Sequence, residues 1–112
     1  DPDDPRAHQR LCNVLVQLHD AGAIDACDRA LALVPDHAET LADRGLAHYL
    51  AGDDTSALAD LDRAIALEPT DGTALVNRAM VRTHAGAPGA RDDLERACKL
   101  DVREACASLQ GP

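Results

Sequence analysis

Apolar positions from Leu41 to Pro69 recur with helical spacing. Leu41, Gly45 and His48 fall at i, i+4 and i+7, and Ala57, Leu61, Ala64 and Ile65 form a second series. Each series places a stripe on one face of a helix. A turn at Gly52-Asp53-Asp54 joins the two predicted helices and is short enough for the stripes to meet. Gly45, Ala57 and Ala64 are small, so the backbones can approach closely. Thr55 and Ser56 are cap-type residues at the start of the second helix, and Pro69 closes it.

The pattern repeats. Asp28-Arg29-Ala30-Leu31-Ala32-Leu33 returns as Asp62-Arg63-Ala64-Ile65-Ala66-Leu67, 34 residues later, and as Glu95-Arg96-Ala97-Cys98-Lys99-Leu100, a further 33 on. Leu41, Arg44 and Gly52 match Leu75, Arg78 and Gly86 at the same interval of 34. The chain therefore reads as one all-α domain over 1–112, with units at about 4–34, 35–68 and 69–101. In the first unit, Leu11, Val14, Leu15 and Leu18 form the expected stripe, ending near Gly22. Gly22 lies only 30 residues before Gly52, which predicts a missing turn of helix. A terminal helix over 102–110 is expected to cover the last apolar face.

These motifs resemble the tetratricopeptide repeat (TPR). The matching residues are Leu41, Gly45, Ala57, Ala64, Leu67 and Pro69, then Leu75, Ala79, Ala90, Ala97 and Leu100. The resemblance implies a right-handed α-solenoid of three helical pairs plus a capping helix. It also implies a concave face built from the first helix of each pair, and a role in holding a peptide or helix of a partner protein there. His48 and Arg82 depart from the pattern, standing where the family usually has an aromatic, so looser packing is expected at those seams.

Rotation about each first helix gives the side chains beside the seam. In the second unit these are Leu46, Tyr49 and Leu50, with Ala42 beside them and Glu39 and Asp43 flanking. In the third they are Val76, Asn77, Met80 and Thr83, with His84. In the first they are Gln9, Cys12, Asn13, Val16 and His19. The expected groove has an apolar floor and polar edges, with Tyr49 and Met80 as adaptable contacts. A blander reading keeps Leu46, Leu50, Val76 and Met80 as seals between units. None of these positions is basic, which rejects the family subclass that grips a C-terminal carboxylate. A basic or apolar partner segment suits Asp43 and Glu39.

Charge narrows the partner further. The 112 residues carry a formal net charge of −9, with one lysine, Lys99, and scattered arginines. A nucleic-acid surface needs clustered cations, so nucleic acid is not expected. No apolar run reaches the roughly 20 residues of a membrane span, and no membrane insertion is expected. The only methionine is Met80, which marks the chain as processed or cut from a longer one, so the lack of a signal peptide says nothing against export. Abundant Ala, Arg and Asp with scarce Lys suggests a bacterium of high genomic GC.

Four cysteines remain to be explained. Cys98 and Cys106 straddle a predicted turn, and antiparallel helices can bring them within bridging range. ERACKLDVREAC also resembles exported, cysteine-bridged helical repeats related to the TPR. Cys12 and Cys27 sit on opposite arms of the first pair and could bridge too. Each loop would add roughly 2.5–3 kcal/mol by chain entropy. Paired cysteines favour an exported, periplasmic setting; buried free thiols are the other reading.

A thiol- or metal-active protein would use Cys12 and Cys27, with His8 and His19. The close ligand spacing that marks such sites is missing, so no metal or other cofactor is assigned. No nucleophile motif or phosphate loop occurs. Asp53-Asp54 and Asp92-Asp93 are expected at helix starts, offsetting the dipole. The chain is expected to be no enzyme but an interaction module, or alternatively a self-assembling scaffold piece whose end faces stack. Its oligomeric state is not fixed by the sequence.

Overall fold

The computed structural model describes residues 2–110. It contains seven helices and, among the described residues, no strand: α1 (Pro5–Gln17), α2 (Ala23–Leu33), α3 (Ala38–Leu50), α4 (Asp54–Leu67), α5 (Gly72–Ala85), α6 (Ala90–Lys99) and α7 (Arg103–Leu109). No helix is long and apolar enough to cross a membrane. Helices α1 and α2, α3 and α4, and α5 and α6 pack as pairs, each pair rests on the next, and α7 lies on α6. The stack measures 49 × 25 × 21 Å. It is a TPR-like α-solenoid.

Side chains at the helix ends explain the boundaries. The carboxylates of Asp4, Asp53 and Asp71 accept from the backbone N–H of Arg6, Ser56 and Ala74, and His37 Nδ1 accepts from Thr40 N. Helix α4 thus starts under Asp53, slightly earlier than Thr55 and Ser56 suggest. Gly52 and Gly86 end α3 and α5 with φ of 86° and 70°. In the first pair that left-handed position belongs to His19, at φ 55°, 33 residues before Gly52. Gly22 lies beyond the turn, so α1 loses nothing: it has 13 residues, as α3 does. The shortfall is in α2, with 11 residues against 14 in α4.

The same shift turns α1 about its axis. Its buried residues are Cys12 and Val16, with Leu15 half-buried against them, whereas Leu11, Val14 and Leu18 face outward. Only Leu15 of the expected stripe packs inward. Cys12 and Val16, expected at the groove, lie in the core instead.

Elsewhere the interior is leucine set among alanine. Leu41, Leu61, Leu75 and Val81 are fully buried, with Ala57, Ala64, Ala74 and Ala97 between them. A Cβ on Gly45 would stand 2.9 Å from Leu61 Cγ and 3.2 Å from the Ala57 carbonyl, so α3 and α4 meet at backbone range. Ala105 of α7 is buried in the same core, and Val102 packs on Gly72. Helix α7 therefore closes that end.

Two buried carboxylates run through this small-residue core. Arg44 of α3 clasps Asp60 of α4 with Nε and Nη2 at 2.8 and 2.9 Å, and reaches Asp28 of α2 at 3.0 Å. One unit later Arg78 clasps Asp93 of α6 at 3.0 and 2.7 Å and reaches Asp62 of α4 at 3.0 Å. His48 and Arg82 complete these clusters, at 3.7 Å from Asp60 and 2.8 Å from Asp93. The expected loose seams are instead acid-base contacts, and Asp93, in the first turn of α6 as expected, is also buried in the seam.

The sulfurs of Cys12 and Cys27, and those of Cys98 and Cys106, lie at disulfide distance, with Cα separations of 4.6 and 4.7 Å. One pair stands between α1 and α2 and the other between α6 and α7.

Gly45→Ala is expected to lower stability by about 1–3 kcal/mol, because the new methyl meets Leu61 and backbone and neither can withdraw. Urea denaturation followed by circular dichroism measures it, and an unchanged midpoint would contradict the close approach.

Candidate binding groove

Helices α3 and α5 diverge at their N-terminal ends and leave a cleft of about 730 Å³. Ala42 and Asp43 of α3, Ala74 and Asn77 of α5, and Leu67 at the end of α4 line it. Its rim carries Asp36, Glu39, Glu68 and Asp71. The apolar floor and polar rim follow from the helix faces: Ala42 of α3 and Ala74 of α5 are both buried. Asp36 is paired with Arg63 of α4. Arg63 itself lies outside the lining, which contains no Lys or Arg.

A second cleft, about 340 Å³, lies on the other side of Glu39 and Asp43, between α1 and α3. Arg6, Gln9, Arg10 and Asn13 form its far wall. The lining of the α3–α5 cleft thus contains no Lys or Arg, whereas that of the α1–α3 cleft contains Arg6 and Arg10.

Asp43 stands between the two. Its only hydrogen-bond partner among the described residues is the amide of Asn13, whose Nδ2 donates at 3.2 Å. Burial pushes its carboxyl up from the ordinary 3.8 to about 6; Glu39 and Asp71 push the same way, and Asn13 and His37 oppose them. The contrast with Asp60 and Asp93 is sharp, since each of those is clasped by an arginine.

The remaining expected contacts spread along the solenoid. Leu46 is half-buried against the cluster around Cys12 and Cys27, and Val76 and Tyr49 pack on the main core. The Tyr49 ring meets His84 edge-on, centroids 5.5 Å apart, and His84 Nδ1 lies 2.7 Å from Asp54. Met80 is exposed one turn along α5 from Asn77. Thr83 is exposed and donates to the Ala79 carbonyl at 2.9 Å. Leu50 belongs elsewhere, in a pocket of about 300 Å³ with Val16, Ile24 and Ala47. Of the eight expected groove residues, then, only Asp43 and Asn77 line the α3–α5 cleft. Reasoning from face rotation missed Glu68 and Asp71, which come from the α4–α5 turn. The acidic spacing across that turn was the available signal.

Cys12 and Cys27 face each other, and His8 Nε2 is held 2.7 Å from the Pro2 carbonyl. Among the described residues no group of three or more His, Cys, Asp or Glu is placed to hold a metal ion.

Asp43→Asn keeps the amide contact and removes the buried charge. A carboxyl raised in the folded state binds its proton more tightly there than in the unfolded chain, so stability falls as pH rises from about 4 to about 6. The shift corresponds to roughly 3 kcal/mol, and residual water contact reduces the effect to about 1 kcal/mol. The variant is expected to be more stable than the parent at pH 7 by about that amount and to lose this slope. Denaturation midpoints across pH 4–7 measure both.

Comparison with known proteins agrees with this architecture. A tetratricopeptide repeat family model matches residues 15–82. The first TPR of Spaghetti (RPAP3), bound to the HSP90 peptide SRMEEVD, superposes with a TM-score of 0.79 at 19% identity, covering 99% of this chain and 97% of that one. The NMR structure of the first TPR domain of human RPAP3 gives 0.78 at 19%, over 98% and 95%. The crystal structure of MamA gives 0.77 at 22%, over 94% of this chain and 63% of that one. At these identities the likeness is one of fold. No curated protein matches the chain by sequence.

Proposed function

The chain belongs to the tetratricopeptide repeat family, and from that premise we propose that it is a non-catalytic interaction module holding a segment of a partner protein along α1, α3 and α5. The observation that carries the finer reading is Asp43, a part-buried carboxylate with an amide partner and no cation, beside Glu39 and Asp71. A lysine or arginine of the partner would supply that charge, its stem lying on Ala42, Ala74 and Leu67. The peptide SRMEEVD of the RPAP3 complex is acidic at its end and would face Asp36, Glu39, Asp43, Glu68 and Asp71 in the α3–α5 cleft. Asn77 and Met80 extend the contact along α5, and Tyr49 and Thr83 lie further toward its C-terminal end. Leu46 and Val76 support the helices from within.

The test uses fluorescent 12-residue peptides alternating leucine with arginine, and the same peptides with glutamate in place of arginine. The arginine series is expected to bind in the micromolar range and to weaken with salt. Asp43→Asn should weaken it about tenfold while leaving the fold more stable, and Met80→Ala a few-fold. No binding by either series would reject the groove; preference for glutamate would reject the cationic partner alone.

The cysteine geometry supports an oxidised protein in an exported setting, which would leave Cys12 and Cys27 no thiol for metal or redox chemistry. Thiol labelling without reduction, on protein from its own host, should add no mass. Four labels would place the chain in a reducing compartment and overturn this part of the reading.

A further inference from the structure

We infer that α1 is a self-association surface, pairing with α1 of a second copy in antiparallel orientation. Leu11 and Val14 of α1 and its C-cap Leu18 are 48%, 50% and 69% exposed, the most extended run of uncovered large apolar side chains among the described residues. With exposed Ala7 they fall at spacings of four, three and four, the seam pattern of a two-helix contact. That seam is its own antiparallel complement. Ala7 comes opposite Leu18 of the copy, small against large, and Leu11 opposite Val14.

Charge favours the same occupant. Each copy carries −9, so most approaches are repulsive, yet residues 5–18 contain no Asp or Glu. Antiparallel pairing also brings Arg6, 80% accessible and paired with its own Asp4 at 3.4 Å, toward the end of the copy that carries Asp20. The 13-residue helix is about 20 Å long. Two such faces bury less than about 1,200 Å², the range of weak, concentration-dependent interfaces.

Sedimentation equilibrium of the whole chain tests this. The apparent mass is expected to rise from 11.8 kDa toward twice that value between roughly 5 and 500 µM. Ala7→Lys and Leu18→Glu, both at exposed positions, should each remain monomeric with unchanged circular dichroism. Mixed in equal amounts they should associate again, because the introduced lysine and glutamate meet only in an antiparallel pair. A monomer at every concentration would overturn the inference and leave the face to a different chain. Association that survives Leu18→Glu would place the contact elsewhere, and a mixture that stays monomeric would overturn the antiparallel pairing.

Discussion

Everything else in this fold hangs on two arginines that each hold three helices. Arg44 joins α2, α3 and α4, and Arg78 joins α4, α5 and α6. An alanine-rich interior has little shape to fix the rotation of one helix on another, since alanine offers a low, uniform surface. A bidentate Arg–carboxylate pair fixes it, because two parallel hydrogen bonds add geometric specificity. Such pairs are poor sources of net stability once desolvation is counted, and their worth is in register. His48 and Arg82 belong to the same device: a carboxylate placed in a seam calls for cations where an apolar seam would take an aromatic.

The ladder is confined to the middle. Ala26 occupies the first pair's position corresponding to Asp60, and there the cross-helix tie is Cys12 with Cys27. Glu95, the third-unit counterpart of Asp62, pairs with Arg91 of its own helix, and between α6 and α7 the close pair is Cys98 with Cys106. Charge clamps join the second and third units, and the close sulfur pairs lie in the first unit and between α6 and α7.

Much of this was legible in the sequence because the repeat imposes it. The interval of 34 between Arg44 and Arg78 announces equivalent positions, and the small residues at Gly45 and Ala57 announce close helices. The first unit was harder, because a histidine takes the left-handed turn that glycine takes later. Anchoring on Gly22 misplaced the inward face of α1, and with it Leu11, Val14 and Leu18. The buried acids were hidden for a different reason. Asp93 beside Asp92 reads as an ordinary helix start, and only the fold brings Arg78 and Arg82 onto it. Groove residues suffered likewise: a face can be predicted from one helix, but a cleft needs two helices and the turn between them.

Asp43 then stands out as the exception to the rule the fold applies elsewhere. Asp60 and Asp93 show that this chain compensates a buried carboxylate with arginine when structure is the purpose. At Asp43 the same chain supplies an amide, and adds Glu39 and Asp71 nearby, so the folded protein is less stable there than it could be. A local cost without a structural return is what a binding site looks like before its ligand arrives. The cation missing from the interior of the cleft is the feature a partner would bring.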